Sequence, residues 1–396
     1  MSKKDIYILM YKDYKVLSFY VDYRNYKTTL VEKLEHFDKA PYGFDDTNQD
    51  TISLKIGWFF KRLCIPEMRK DYKKIMKATH SRNGIELLFK GHGLSLSNHY
   101  WFKKENEKLS YNNINFFTNK WDDSFARAVL SEDYDALSHV NLDVPDITTS
   151  GWGIKGWLYD EIKGPRLYKL GINLYEECLG EVLASRLAKR LFSDKEVLTY
   201  DLEMINGRYA SSCSPMINID EDLISLNVVL PNELYSLYHS IQNDKNIRKK
   251  FFEKLQEYGY HDYYQFFVKL ACLRSICFVN DLHFGNMSII KNMSSGKNRI
   301  APIYDLAGSF GTGKTAREHL AKPTKATLLL IYFMYSNLNP DWDYSWYNKD
   351  NLIGFEDEIR KILSKSDFYT PEILDFIIEI YHQQKSALDE LADKKK

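Results

Sequence analysis

Residues 266–305 carry the pattern that most narrows what this chain can fold into. An apolar helical stretch, Phe266 to Cys277, runs into the polar loop Asp281-Leu282-His283-Phe284-Gly285-Asn286. Two short β-type runs, Met287 to Lys291 and Arg299 to Ile303, then flank a Gly-bearing turn, and Asp305 closes the segment 24 residues after Asp281. Asp, His and Asn all favour turns, and any one of them alone makes an ordinary loop. Together they mount a carboxylate, an imidazole and a carboxamide between rigid elements, with a second carboxylate at the next strand end. Loops held in this way are where reacting groups are commonly carried.

Phosphoryl transfer needs these residue types in this order. One carboxylate, Asp281, would orient or deprotonate an attacking hydroxyl, while Asn286 and Asp305 would hold Mg2+ against nucleotide phosphates. His283 is expected to orient the loop from within. Candidates for the nucleotide side lie upstream. Thr148-Thr149-Ser150-Gly151-Trp152-Gly153 reads as a small-residue turn between strands, with Gly151 and Gly153 letting backbone N–H groups approach phosphate oxygens. Lys169, in the strand-like run Arg166 to Leu170, would pair the α- and β-phosphates of ATP. The following helix, Leu174 to Leu191, offers Glu176, Glu177 and Glu181 as partners that orient the lysine. Glu181 is preferred because it precedes the apolar Val182-Leu183-Ala184. The expected ATP contacts are therefore Thr149, Ser150, Gly151, Gly153, Lys169 and Glu181.

The wider pattern is an α+β chain of bilobal, protein-kinase-like layout. Ile6 to Met10 and Val16 to Val21 read as paired strands, and Leu54 to Leu63 as a helix closed by Pro66. Residues 1–130 form an N-terminal α+β module, 145–230 a mixed-sheet nucleotide lobe, and 231–396 a mainly helical catalytic lobe. Val197 to Ile205 and Met216-Ile217 are further strand candidates. Helices are expected over about 232–241, 245–258, 260–277, 356–363 and 371–391.

Composition limits the alternatives. Lys+Arg and Asp+Glu are equal at 54 each, which argues against a dedicated nucleic-acid binder. Lys394-Lys395-Lys396 reads as a solvated tail. The five cysteines show no Cys-x-x-Cys pair and no zinc-ligand spacing, which suits a reducing compartment. Met1 to Tyr7 lacks a signal peptide's apolar run, and the apolar stretch Ala326 to Tyr335 is about half a membrane span. A cytoplasmic protein without direct membrane contact is expected.

One motif competes. Gly308-Ser-Phe-Gly-Thr-Gly313-Lys314-Thr315 matches the phosphate-binding pattern G-x-x-x-x-G-K-[ST] in full. A P-loop ATPase needs a parallel βαβ sheet around that motif and a later apolar strand ending in Asp. The run Leu328 to Met334 ends in Tyr335-Ser336 instead, so the match is read as coincidental.

Asp281-x-His283-x-x-Asn286 with Ile300-Ala301-Pro302-Ile303-Tyr304-Asp305 resembles the HipA-like serine/threonine kinases, the toxin kinases of bacterial toxin–antitoxin systems. The resemblance spans about residues 145–390. Gly93 to Trp101 is similar to a segment recurring in HipA-related proteins. The resemblance implies Asp281 as catalytic aspartate, Asn286 and Asp305 as Mg2+ ligands, and Lys169 as the ATP-phosphate lysine. It also implies autophosphorylation of the loop at Ser150, Thr149 or Thr148, a protein substrate such as a translation component, and a DNA-binding antitoxin as partner. The chain departs from the family at Val279, often Asn there, and at Leu282, often Arg or Ala. Ser150-Gly-Trp-Gly is not a standard family sequence either. Three other classes fit the same residues: a non-catalytic binding module of kinase fold, a P-loop ATPase using Lys314, and a kinase acting on a lipid or small molecule.

Overall fold

A computed structural model describes residues 6–22, 27–44, 48–171, 176–240, 245–260, 263–279, 283–321, 324 and 338–394. Asp281 lies outside the described residues, as do Leu174, the stretch Ala326 to Tyr335 and both chain ends. The α+β class expected from the sequence is the class observed, with three sheets and many helices.

The first sheet, of order β3-β2-β1-β4, joins β1 (Ile6–Tyr11), β2 (Tyr14–Asp22), β3 (Lys27–Lys33) and β4 (Tyr100–Lys104), all antiparallel. Helix Gln49–Leu63 lies on it. Asn48 starts this helix by accepting from the backbone N–H groups of Asp50 and Thr51, satisfying donors that would otherwise be orphaned. Ile52, Ile56 and Phe60 recur at helical spacing and are fully buried with Leu9, Leu17 and Phe19. A second core, around Ile75, Leu87, Trp101 and Phe125, continues into Ile154, Trp157, Leu170 and Ala210.

The second sheet has the order β5-β6-β8-β7. Its strands are β5 (Lys155–Asp160), β6 (Gly164–Leu170), β7 (Asp201–Ile205) and β8 (Arg208–Cys213). Helix Glu177–Leu191 packs on it. The third sheet, β11-β10-β9, pairs β9 (Glu221–Ser225), β10 (Ser288–Asn292) and β11 (Asn298–Ile300). Helices Asn232–Ser240, Lys245–Glu257, Tyr263–Cys277, Phe355–Leu363 and Pro371–Asp393 follow the expected pattern to within a few residues. They share one large core that reaches from Cys178 to Ala392.

Three local readings are corrected. Met216-Ile217 is not a strand; the strands on either side of it, β8 and β9, were missed because Arg208–Cys213 is rich in Ser and Glu221–Ser225 opens on two acids. The strand read over Val197 to Ile205 is confined to Asp201–Ile205, since Val197 makes a single parallel bridge to Ile303. The Thr148–Gly153 segment does not join two strands. It links the 3-10 turn Pro145–Thr148 to β5, and the turn between β5 and β6 is Glu161–Lys163.

Candidate functional site

The site begins with strand register. Lys169 on β6 lies opposite Lys155 on β5 and opposite Ser211 on β8. Directly opposite residues point to the same side of a sheet, so the three form one row. Glu181, 1% exposed, reaches that row from the helix, which is buried on all sides from Cys178 to Ser185. The Lys169 ammonium donates to Glu181 Oε1 at 2.6 Å and to Asp305 Oδ1 at 2.8 Å. Ser211 Oγ donates to the other Glu181 oxygen at 2.5 Å. Lys169 Nζ also lies 5.1 Å from the centre of the Tyr200 ring.

Asp305 reaches this row because the chain just before it is pinned. Leu198 N–H donates to Ile303 O, and Ile303 N–H donates to Glu196 O, at 2.9 and 2.8 Å. Asp305 itself has a φ of 58°, in the left-handed region that non-glycine residues adopt at a cost. Its N–H donates to the Tyr200 hydroxyl at 3.2 Å. Asn286 ends the 3-10 turn Phe284–Asn286, which His283 caps by accepting the Gly285 N–H on Nδ1 at 2.9 Å. Tyr304 shares a 2.8 Å hydrogen bond with Ser288 and donates to Gly285 O at 3.4 Å, tying the loop to the strand end.

Lys169, Tyr200, Gly285, Asn286, Tyr304 and Asp305 line a cleft of ≈ 170 Å³ together with Thr149, Ser150 and Lys155, while Glu181 and His283 stand outside its lining. Among the described residues the lining takes in Ser150 but stops short of Gly151 and Gly153. Gly151 has a separate reason to be glycine: its φ of +90° lies where a side chain would strain the backbone. The Thr149 hydroxyl is occupied, donating to Asp146 O at 2.7 Å and accepting from Arg69 Nη1 at 2.8 Å.

The cleft is electrostatically tense. Burial alone would raise the Asp305 carboxyl, but Lys169, Lys155 and His283 together hold it down at about 2. Burial pulls the Lys169 ammonium down, yet the Asp305 and Glu181 carboxylates outweigh it and hold the group well above its ordinary value. Lys155, buried and beside the Lys169 charge, is pushed down to about 8. Lys155 is the functional candidate that sequence reasoning missed. Counting outward from the β5–β6 turn would have placed it opposite Lys169.

The P-loop-like segment is built for packing. Ser309, Phe310, Gly311 and Thr312 are buried, and the Ser309 and Thr312 hydroxyls donate to carbonyls within the same turn. Gly180 presses on it so closely that a Cβ would lie 2.1 Å from Thr312 Oγ1. Among the described residues every strand pairing is antiparallel apart from the Val197–Ile303 bridge. Neither the parallel sheet nor the open backbone cradle of a P-loop is present there.

The site thus brings together a lysine on a central strand, a helix glutamate that bonds it, and a carboxylate next to an Asn-bearing loop, residue types that a phosphate site of the kinase type requires. Neither a protein-family model nor a curated protein sequence matches the chain. Among solved structures, a chain of the Shewanella oneidensis MR-1 toxin–antitoxin complex of HipA, HipB and its operator DNA aligns over 98% of this chain and 99% of its own. The identity is 13% and the TM-score 0.48. The Helicobacter pylori proinflammatory kinase CtkA aligns over 61% of this chain and 93% of its own, at 13% identity and a TM-score of 0.36.

Proposed function

We propose that this chain is an ATP- and Mg2+-dependent protein serine/threonine kinase. The observation that carries the reading is the Lys169 ammonium held between Glu181 and Asp305 at the wall of the cleft that also contains Asn286. Lys169, fixed by Glu181, would pair the nucleotide phosphates, and Asp305 would serve with Asn286 as a metal ligand. The donor set fits Mg2+. Asn286 and Asp305 supply hard oxygen donors, and Mg2+ is usually held by one or two carboxylates plus phosphates and water, without a dedicated cage. Among the described residues no cluster of three His, Cys, Asp or Glu competes for a metal. The ion would neutralise charge on the transferring phosphoryl group.

In the transfer itself the bond from the γ-phosphorus to ADP breaks as the acceptor hydroxyl oxygen bonds to that phosphorus. The hydroxyl proton passes to Asp281. Lys155 adds a second cation on the phosphate side. Protein Ser/Thr specificity, a toxin role and self-phosphorylation at Ser150, Thr149 or Thr148 are the finer parts of the proposal, and they rest on the sequence resemblance. So does a DNA-binding antitoxin as partner. A cytoplasmic location fits the five buried free cysteines and the lack, among the described residues, of a helix long and apolar enough to cross a membrane.

The deciding experiment is transfer of label from γ-labelled ATP with Mg2+, by wild type, Asp281→Ala and Lys314→Ala, with mass spectrometry of residues 145–156. Label in wild type and Lys314→Ala, but not in Asp281→Ala, is the expected result. Label that survives loss of Asp281, or ATP hydrolysis that depends on Lys314, would sink the proposal.

A further inference from the structure

A second cavity, of ≈ 270 Å³, opens directly off the nucleotide cleft. Ser150, Gly285 and Tyr304 belong to the walls of both. Gly285 sits between His283 and Asn286, so whatever occupies the second cavity lies against the loop on which the transfer is proposed to occur. One wall comes from the N-terminal half: Lys39, Tyr42, Phe59, Arg62 and Tyr100. The other comes from β9 and β10, with Ile224, Ser225, Ser288 and Lys291, and from Met293 just after β10.

The charges of this cavity are unbalanced. Asp222 is buried and already accepts from the His99 backbone N–H at 3.0 Å, with His99 Nδ1 2.7 Å away. The Lys39 ammonium lies 4.9 Å from the centre of the Tyr14 ring. Asp38 is exposed at the rim. Arg62 and Lys291, one from each wall, make neither an ion pair nor a hydrogen bond among the described residues. Arg62 is exposed, and Lys291, half-buried, lies opposite Asp222 in the β9–β10 pairing without forming an ion pair to it. Both cations keep contact with water and are open to an incoming anion, which they would hold by charge-assisted hydrogen bonds. The aromatic wall of Tyr42, Phe59 and Tyr100 suits flanking side chains, and Tyr42, 46% exposed, leaves the far end open for a chain to continue outward.

We propose that this cavity seats the acceptor segment of a protein substrate, a Ser- or Thr-bearing stretch with a carboxylate side chain close to the acceptor hydroxyl, read by Arg62 and Lys291. The proposal rests on the phosphotransfer reading above and adds to it the substrate class. The acceptor hydroxyl enters past Gly285 and Tyr304, while the neighbouring carboxylate stays behind between the two cations.

The test uses the full chain with Mg2+ and ATP on Ser/Thr peptide libraries of acidic, neutral and basic flanking composition. Wild type, Arg62→Glu, Lys291→Glu and the double variant are compared, and binding of a fluorescent ATP analogue is measured separately to show that each variant is folded. Wild type is expected to favour acidic flanks by ~10-fold or more in kcat/KM, through KM, as charge complementarity requires. Each reversal should remove that preference and the double variant should favour basic flanks, with ATP binding unchanged. If peptides are labelled without an acidic preference, or the preference survives both reversals, the cavity proposal is wrong and the phosphotransfer reading stands. If no acceptor is labelled although ATP binds, both fall. A short single-stranded RNA that competes in an Arg62- and Lys291-dependent way, where acidic peptides do not, overturns the proposal in favour of a nucleic-acid ligand.

Discussion

Replacing Glu181 by Gln isolates the charge on which the proposed site depends. The amide keeps the shape and both hydrogen bonds: its oxygen can accept from Lys169, and the Ser211 hydroxyl can rotate to accept from its NH2. What is lost is the carboxylate charge against an ammonium at 2.6 Å, with the two side chains only 2% and 15% exposed. At an effective dielectric of ~20, two charges about 3 Å apart attract by roughly 5 kcal/mol. Lys169 keeps Asp305 at 2.8 Å, so its charge is not stranded, and the net cost falls well below that figure. About 2 kcal/mol is expected, the range of a charge-assisted hydrogen bond rather than of a stripped ion pair. Thermal unfolding without nucleotide should drop by roughly 2–3 °C. In transfer assays Lys169 is drawn wholly onto Asp305, away from both phosphate and metal, and the same 2 kcal/mol lowers kcat/KM by about thirty-fold. Unchanged melting together with transfer within about threefold of wild type would refute the idea that Glu181 fixes Lys169 by charge.

Three further outcomes follow from the same geometry. The Lys155 ammonium, pushed down to about 8, is lost as pH rises through that value, so nucleotide affinity should fall by up to ~10-fold per pH unit above it in fluorescent-nucleotide titrations. Lys155→Met should flatten that profile, and should raise the nucleotide-free melting temperature at pH 7, because a depressed lysine costs stability below its folded pKa. Asp305, held at about 2, contributes stability that is complete above its unfolded value near 4 and lost as pH falls through about 2. Urea midpoints of wild type and Asp305→Asn should therefore converge between about pH 4 and pH 2, by roughly 2 kcal/mol. Gly180→Ala forces a Cβ to within 2.1 Å of Thr312 Oγ1 and 2.5 Å of Ser309 O, both in buried residues, and should cost about 2–3 kcal/mol with faster proteolysis at residues 308–315.

Much of the fold was legible because its signals are local. Helix Gln49–Leu63 shows its buried stripe at Ile52, Ile56 and Phe60, and helix Pro371–Asp393 opens with Thr370 as cap and Pro371 in its first turn. The strands that were missed carry no such signal. β8 reads Arg-Tyr-Ala-Ser-Ser-Cys, and its serines are buried because Ser211 bonds Glu181 and Ser212 accepts from Arg166, contacts made across the fold. At the candidate site, residue types on one loop could be recognised by spacing, as could Lys169 and the helix that follows it. Lys155 has no such mark of its own: its significance lies in its register opposite Lys169, which follows only once the turn between β5 and β6 is placed. The full match at Gly308–Thr315 misleads for the converse reason. Its glycines serve a tight turn under Gly180, a packing demand that produces the same letters as a phosphate loop.

The same non-locality governs how the cleft is held open. Arg69, 2% exposed, donates to Asp71 at 2.7 Å, to Thr149 at 2.8 Å and to the Lys155 carbonyl at 2.9 Å, so one guanidinium grips both ends of the Ser150 loop from eighty residues upstream. Lys70 N–H adds a bond to Trp152 O at 3.1 Å. On the far side, His99 is fully buried, stacks on Phe117 and bonds Asp222, which lies beside Lys291 in the β9–β10 pairing. Without the first 130 residues, Thr149 would lose its guanidinium, and Asp222 would lose the His99 backbone and ring that bond it and open to water. Those residues therefore form part of the frame of the cleft. A truncated chain beginning at about residue 145 would retain Lys169, Glu181 and Asp305, but neither of the ties that set the loop and the strand facing them.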